Sequence, residues 1–306
     1  MALIRGSFPD VTELTARFTR IFSETYEQLT DRVGDFFFHM DSTRINERFS
    51  SVGTYGIIPF FNGTVTYADL AQGYDSVITP LELAGGMQIE RRLMDTDQHN
   101  VIDSRPKSLG EGMNRTRQIE AARFFNQMFS VDTRYNSHSE GVALCSNSHT
   151  TTSGASTTSG FDNLNTGSLN FVNIATNRIQ MRGFRGDQAE RISIMPDLIV
   201  IPPDLYAEAY ENIGSPGRPD TANRAESVHF GQYKVVEWEY LTSARNWAMV
   251  DSSFMKSPNG NIWIDGVTPE FAFVESFGEI VGKWRTYAAW GHGHYDFKWI
   301  LGNSVA

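Results

Sequence analysis

The chain has 306 residues, of which 40% are hydrophobic, so it is long enough to fold around one large or two ordinary cores. Its formal charge is −10 and basic residues form no long run, which argues against a surface built to neutralise a nucleic-acid backbone. The single cysteine excludes an internal disulfide, and no apolar run reaches the about 18 residues of a membrane span. Residues 1–7 lack a signal-peptide pattern, so an intracellular origin is expected.

The amino-terminal segment predicts an amphipathic helix over residues 8–29, with Asp10 and Glu13 as capping residues. Two interpretations stay open at this point. The helix packs on the core of its own subunit, or it is an arm that lies on a neighbour. Its apolar positions are Val11, Leu14, Phe18, Ile21, Phe22 and Leu29.

Glycines interrupt short β-prone pieces from residue 49 to residue 94, which predicts a long hairpin excursion. The β-prone pieces are 64–67 and 77–79, Asn62-Gly63 can form a tight turn, and a strand is expected over 87–94. A long loop without a core of its own is usually functional or interfacial. The sequence therefore predicts a projecting loop that needs a partner surface.

A long helix is predicted from Asp103 to Phe129, with Pro106 near its first turn. At about 1.5 Å per residue it would be roughly 40 Å long, enough to cross a whole domain. Three arginines, Arg115, Arg117 and Arg123, are expected on its solvated face. The apolar face would consist of Leu109, Met113, Ile119, Ala122, Phe125 and Phe129.

The second half predicts a mixture of helices and β-strands, hence an α+β fold. Leu169, Val172, Ile179 and Met181 mark a helix, and a buried strand over 197–201 ends at Pro202-Pro203 before a helix over 204–213. Pro258-Asn259-Gly260 predicts a hairpin turn. The carboxy-terminal third is β-rich, with strands expected at 233–240, 247–250, 262–264, 270–275, 283–289 and 295–301.

Cys145 lies four residues before His149, which raises the hypothesis of a thiol nucleophile beside its base. The alternative is a strand through Val142-Ala143-Leu144-Cys145 in which the cysteine is a small buried apolar residue. No local sequence signature of a cysteine hydrolase surrounds Cys145, so the second interpretation is favoured. The Ser/Thr/Gly tract that follows, residues 150–160, is expected to form a surface loop.

His292 and His294 stand between glycines and precede Asp296, which could present two imidazoles and a carboxylate to a metal. A third strong ligand at a fixed spacing is missing, and a hairpin or bulge explains the glycines equally well.

The carboxylates Glu237, Glu239 and Asp251 could hide an acid/base pair, but alternation on a half-exposed strand explains them. The sequence also lacks nucleotide-binding loops and the motifs of common hydrolases. No catalytic, cofactor-binding or metal-binding residue is therefore predicted.

The order of elements and several motifs resemble a tailed-phage major capsid protein, particularly the Mu-type head-subunit branch. The resemblance covers nearly the whole chain. The motifs that carry it are 140–149 (EGVALCSNSH), 196–205 (PDLIVIPPDL), 240–242 (YLT), 247–251 (WAMVD) and the terminal 290–302.

This resemblance implies the Hong Kong 97-type capsid fold, with an N-terminal arm, an extended E-loop, a P-domain that holds the spine helix, and an A-domain. The implied boundaries are 1–31 for the arm, 32–49 for its connection to the P-domain, 50–86 for the E-loop, 87–139 for the P-domain with the spine helix, 140–277 for the A-domain, and 278–306 for C-terminal strands that return to the P-domain.

The resemblance further implies a structural protein that assembles with itself into hexamers and pentamers of an icosahedral head. The head would be built in the bacterial cytoplasm and would enclose double-stranded DNA without sequence-specific binding. Portal, scaffold and decoration proteins are the expected partners, with no membrane. An encapsulin-like shell and a cysteine- or metal-dependent hydrolase are the alternatives. The expected assembly interface comprises Val11, Leu14, Phe18, Phe22, Asn62, Tyr67, Tyr74, Arg115 and Arg117.

Overall fold

The computed structural model describes residues 11–65, 67, 70, 72–96, 101–217, 226–276 and 281–305. Helices and strands are both present, in agreement with the α+β prediction. The α-helices are α1 (Val11–Gln28), α2 (Val33–Phe36), α3 (Arg91–Thr96), α4 (Ser104–Asn126), α5 (Phe171–Met181), α6 (Tyr206–Ala209) and α7 (Ser252–Met255). The strands are β1 (Phe38–Asp41), β2 (Glu47–Val52), β3 (Gln72–Ile78), β4 (Leu81–Glu90), β5 (Asn136–His138), β6 (Leu164–Asn165), β7 (Leu198–Ile201), β8 (Lys234–Glu237), β9 (Trp247–Val250), β10 (Asn261–Ser276), β11 (Val281–His294) and β12 (Ile300–Asn303).

The long central helix is present as α4, which has 23 residues and is about 35 Å long. A 3₁₀ turn, Val101–Asp103, leads into it. Of the predicted apolar face, Met113, Ala122 and Phe125 are buried, whereas Ile119 is 45% exposed. Helix α1 lies along α4, so the first predicted helix packs on the second.

The first sheet has four strands in the order β1-β10-β11-β4. The long antiparallel pair β10 and β11 forms its centre, with register shifts between Asp265 and Val267 and between Val267 and Glu270. Strand β4 pairs antiparallel with β11, and β1 pairs parallel with β10. Helix α4 contacts β4 and β11, so one aromatic-rich core joins the sheet to the helix. Trp263, Trp290 and Phe125 contribute to this core.

The second sheet has five strands in the order β6-β12-β9-β7-β8. Every residue of β7 is buried, as predicted for Leu198–Ile201, and helical turns follow Pro202 through residue 214. Helix α5 packs its Ile174 and Met181 into the core of this sheet. The predicted apolar positions Val172 and Ile179 of α5 are 59% and 74% exposed instead. The prediction was right for Met181 and wrong for Val172 and Ile179, because apolar residues lie on both faces of this helix.

The third sheet, β2-β3-β5, forms the base of the predicted hairpin excursion. Strands β2 and β3 pair antiparallel, and residues 53–71 connect them. None of the described residues among 64–67 is in a strand, although the sequence predicted a β-prone piece there. Strand β4 belongs to the four-stranded sheet and runs past the expected E-loop boundary at Gly86. It ends at Glu90, where α3 begins, so the strand predicted over 87–94 is only partly correct.

The hairpin turn predicted near the end of the chain is wrong, and of the strands within 278–306, which were expected to return to the P-domain, one lies beside α4 and one does not. Residues 258–260 form a turn but not a hairpin turn, because β9 and β10, on either side, belong to different sheets. The last strand is β12, and it pairs antiparallel with β9 in the five-stranded sheet. Only β11 of the C-terminal strands lies in the sheet beside α4. Within the described ranges, the helices are too short or too polar to cross a bilayer.

Candidate assembly surfaces

The segment between β2 and β3 carries an unusual concentration of exposed apolar side chains. We call residues 57–65 the hairpin tip. Phe60 is fully exposed at 102%, and Ile57, Ile58 and Phe61 are between 76% and 86% exposed. Monomeric proteins rarely leave a contiguous apolar patch in water unless it is an interaction site. The tip therefore has the character of a surface made for contact with another molecule.

The predicted interface residues of this segment behave differently from one another. Asn62 lies in the tip, where its Oδ1 accepts a hydrogen bond from Thr64 N at 3.4 Å. Tyr67 is 89% exposed. Tyr74 is half-buried, and its hydroxyl lies 2.5 Å from Thr150 Oγ1 of its own subunit. The run 57–61 was not predicted as an interface, although five successive residues without a polar side chain, IIPFF, were the available signal.

Helix α1 is anchored to its own subunit over the part where side chains are described. Phe18 is fully buried, with its ring 5.2 Å from that of Trp284, and Phe22 stacks on Phe271 at 5.1 Å. These contacts correct the expectation that Phe18 and Phe22 lie on a neighbour. They support the other interpretation, a helix packed on its own core. The side chains of Val11 and Leu14 lie outside the described part of the structure.

Arg115 and Arg117, two residues apart on α4, have opposite environments. Arg115 is exposed, so its proposed interface role stays a prediction. Arg117 is 5% exposed, and its guanidinium binds both oxygens of Asp265 at 2.9 and 3.1 Å. The same group lies 4.9 Å from the ring centre of Trp263. Arg117 is therefore an internal residue, which corrects both its expected solvated position and its place in the interface.

Arg117 and Asp265 each offset the effect of burial on the pKa of the other. Burial lowers the pKa of Arg117, but the hydrogen bonds and charge of Asp265 outweigh it and leave the pKa raised. Burial raises the pKa of Asp265, and the Arg117 guanidinium reverses this and leaves it lowered. Trp263 Nε1 also donates to Asp265 Oδ1 at 2.8 Å. Helix α4 is thus joined to β10 by a buried ion pair.

Cys145 is a packed core residue. It is 1% exposed, and its backbone N–H donates to Met128 O at 2.7 Å. The strand predicted through residues 142–145 is absent from the structure, so Cys145 is buried without being in a strand. A Cβ at Gly302 would lie only 2.8 Å from Cys145 Sγ, so glycine permits this close approach. Burial raises the pKa of the thiol far above its ordinary value. The thiol is therefore protonated and covered.

Native protein should consequently react with a thiol reagent roughly 100-fold or more slowly than unfolded protein, because the thiolate forms only after local opening. The rate of modification of Cys145 by an aromatic disulfide, with and without denaturant, measures this. Cys145→Ala should still assemble. Fast labelling of the native chain would restore the nucleophile hypothesis.

The imidazole of His149 is engaged by groups other than Cys145. Its Nδ1 lies 3.1 Å from Glu140 Oε2, and its Nε2 lies 3.2 Å from Leu144 O. Its ring stacks on Phe297 with a centroid distance of 3.6 Å. Both ring nitrogens thus face oxygen acceptors, which favours a structural role in holding the start of the Ser/Thr/Gly tract.

His292 and His294 project into the protein interior from β11. His292 lies between aromatic rings, 4.6 Å from Tyr135 and 5.6 Å from Phe124 by ring centroids. Burial lowers the pKa of His292 to about 3 and lowers that of His294 well below its ordinary value. Among the described residues, no third ligand atom completes a metal-binding group with these two imidazoles. His292 has the surroundings of a neutral core residue, and His294 is half-buried with its ring 5.0 Å from that of His138.

Acid should destabilise the fold through His292. Its folded pKa is depressed, so the stabilisation is complete above the ordinary pKa of 6.5 and is lost as pH falls toward about 3. The free energy of unfolding should fall by up to about 1.4 kcal/mol per pH unit from this group alone. His292→Phe should flatten the curve between pH 6 and pH 4, measured by denaturant unfolding. Identical slopes for the two proteins would contradict a neutral buried His292.

His39, Asp41 and Asp265 form a group of possible metal ligands that no pattern in the sequence predicted. His39 Nε2 lies 2.6 Å from Asp265 Oδ2. Both oxygens of Asp265 already accept hydrogen bonds from Arg117, whose positive charge opposes a cation. The group is better described as an extension of the buried ion pair.

The carboxylates of Glu237, Glu239 and Asp251, the remaining candidates for an acid/base pair, have structural roles. Glu237 and Glu239 are exposed on either side of buried Trp238, which is the alternation expected of a half-exposed strand end. Asp251 caps α7 by accepting hydrogen bonds from Ser253 N and Phe254 N. Its other oxygen accepts from Met195 N at 2.8 Å.

Solved structures with the same fold are subunits of closed protein shells. A virus-like particle from Pyrococcus furiosus has 9% identity and a TM-score of 0.52 over 95% of this chain and 100% of that chain. The bacteriophage JBD30 capsid has 15% identity and a TM-score of 0.56 over 79% and 100%. The capsid of the native GTA particle has 13% identity and a TM-score of 0.57 over 91% of each chain. The fold is that of Hong Kong 97-type capsid subunits.

The model of the family described as phage capsid protein matches residues 73–303, about three quarters of the sequence. The chain belongs to this family. It is a major capsid protein of the tailed-phage type, a structural component of the virion shell. Comparison with curated proteins gives no match.

Proposed function

We propose that the chain assembles into the hexamers and pentamers of an icosahedral head and that the hairpin tip makes the main contact with the next subunit. The observation that carries this proposal is the exposed apolar surface of the tip in a member of a shell-forming family. A side chain such as Phe60 has no partner in its own subunit's core, whereas a neighbouring copy can cover it. Asn62, Tyr67 and Arg115 belong to the same proposed interface.

The head encloses double-stranded DNA as a container. The net charge of −10 supports this role, because a strongly basic wall would bind the phosphate backbone and hinder its movement. Portal and scaffold proteins are proposed partners. Decoration proteins are another, since the JBD30 capsid has been solved decorated with minor capsid protein trimers. The chain has no catalytic role in this proposal, and the packed positions of Cys145 and His292 support that.

Sedimentation and electron microscopy of the purified chain, with and without a scaffold, test the assembly proposal. Closed particles with five-fold vertices are expected. Persistent monomers under all conditions would contradict it. An encapsulin-like shell, the alternative suggested by the virus-like particle of the same fold, would hold protein instead of DNA. Nuclease-protected DNA in particles isolated from infected cells separates the two, because only the phage head retains it.

A further inference from the structure

The base of the projecting hairpin rests on two loops of its own subunit. We call these loops, residues 150–154 and 186–190, the dock. The Tyr74 hydroxyl lies 2.5 Å from Thr150 Oγ1, and Thr54 Oγ1 donates to Glu190 Oε1 at 2.7 Å. Between these hydrogen bonds the two backbones come close, since a Cβ on Gly56 would lie 3.4 Å from Gln188 Cβ. The hairpin is therefore held on both sides, by Tyr74 of β3 and by the segment that follows β2.

The dock is ordered by contacts that do not involve the hairpin. Thr150 N donates to Glu140 Oε1 at 2.7 Å, and Glu140 is paired with His149. Thr151 Oγ1 donates to Asp187 O at 3.1 Å, and Ser153 donates to the same carbonyl oxygen. These bonds join the Ser/Thr/Gly tract to the second loop of the dock. The surface that receives the hairpin thus exists independently of it.

The contact between hairpin and dock is polar and incompletely packed. A cavity of about 290 Å³ lies beside it, lined by Tyr74, Thr151, Asp187, Tyr295 and Lys298 among others. Hydrogen bonds at a solvent-exposed edge contribute little net stability, because water competes for both partners. Burial of several large apolar side chains of the tip against a second copy is worth more. Engagement of the tip can therefore outweigh the contact with the dock.

We propose that the dock holds the hairpin at one angle in the free subunit and releases it when the tip binds a second copy, so that the dock must open before a shell can close. This inference rests on the proposed assembly function. In the proposed head, the angle between neighbouring subunits would differ between hexamers and pentamers. A hairpin kept at a single angle fits only some of these positions, whereas a hairpin with a weak dock can adapt to all of them.

A disulfide between hairpin and dock tests the release. Gly56→Cys with Gln188→Cys places two thiols at a Cβ separation of 3.4 Å, close to the about 3.5–4.5 Å of natural disulfides. Diamide accepts the two electrons and two protons as the S–S bond forms, and buried Cys145 stays reduced. Shell yield by sedimentation should fall at least ten-fold after oxidation, and dithiothreitol should restore it.

The controls separate this inference from the assembly proposal. Each single cysteine variant, treated with diamide, should assemble like the natural chain. If the natural chain forms shells and the oxidised double variant forms them at the same rate, the release is refuted while the assembly function stands. If no variant and no natural chain ever forms shells, the assembly function itself has failed. Failure of the disulfide to form would show that the dock is not populated and would also refute the proposal.

A second variant weakens the dock without a new bond. Tyr74→Phe with Thr54→Val removes both hydroxyls that reach the dock and keeps the shape of the side chains. Backbone hydrogen exchange over residues 53–65 of the free subunit should become several-fold faster, with no change in α4. Unchanged hydrogen exchange in the hairpin would show that the dock does not restrain it. This outcome would refute the proposal even if the cysteine variants were poorly folded.

Discussion

Phe60→Ser combined with Phe61→Ser should leave a folded subunit that no longer closes shells. Both side chains are exposed, at 102% and 76%, so their loss removes nothing from the subunit's own core. Exposed substitutions of this kind usually change the free energy of unfolding by less than about 0.5 kcal/mol. Each phenylalanine buried at a subunit contact is worth about 1.5–3 kcal/mol, and the contact recurs in every subunit of the shell. Electron microscopy of the variant should therefore show free subunits or incomplete assemblies.

Ile45→Ser is the matched control for the tip variant. Ile45 is 87% exposed but lies outside the tip, in the connection between β1 and β2. It should assemble normally if assembly depends on the tip itself and not on surface hydrophobicity in general. Thermal unfolding of the three proteins should coincide within a few degrees. If the double serine variant forms normal heads, the tip is not part of the subunit interface.

Arg117→Met should produce the largest loss of stability of any substitution considered for this chain. It leaves the buried Asp265 carboxylate without its guanidinium, so that, among the described residues, only Trp263 Nε1 and the exposed imidazole of His39 remain hydrogen-bonded to it. Removal of one partner of a buried ion pair costs about 3–5 kcal/mol, because the remaining charge is uncompensated. Denaturant unfolding measures this directly. The variant should also give a reduced yield of folded subunit, whether or not the subunits go on to assemble.

Arg115→Met is the control for Arg117→Met, since Arg115 lies on the same helix but faces solvent. It should change the free energy of unfolding by less than about 0.5 kcal/mol. Arg117→Met combined with Asp265→Asn should recover most of the loss, because no buried charge is left and an amide oxygen can still accept the hydrogen bond from Trp263 Nε1. Equal effects of the two arginine variants would contradict the internal position of Arg117.

The local pattern of the sequence was sufficient for most elements. Helical spacing predicted α1 and α4 within a few residues, and the apolar run before Pro202-Pro203 predicted β7. These signals are local, since a helix or strand must bury one face and therefore repeats its apolar residues at its own period. The Hong Kong 97-type fold was predicted from the motifs and order of elements, and the solved structures confirm it.

The predictions that were wrong share a physical cause: burial depends on contacts between residues that are far apart in the chain. Arginine is usually a surface residue, yet Arg117 is buried because it pairs with Asp265, 148 residues later in the chain. Phe18 could have covered a neighbour, but Trp284 of the same subunit covers it. Residues 258–260 have the composition of a hairpin turn, and only sheet order shows that the flanking strands separate.

The Cys145–His149 pair illustrates the division between sequence and structure. The sequence by itself determined that Cys145 is apolar in context and that the Ser/Thr/Gly tract is a loop, because composition and local periodicity follow from short-range chemistry. The tertiary structure decided what each contacts. Cys145 packs on Gly302 and His149 pairs with Glu140. The tract becomes part of the dock for the hairpin, whose Tyr74 is 76 residues away from Thr150 in the chain. Such partners depend on long-range packing of the whole chain, which no local pattern contains.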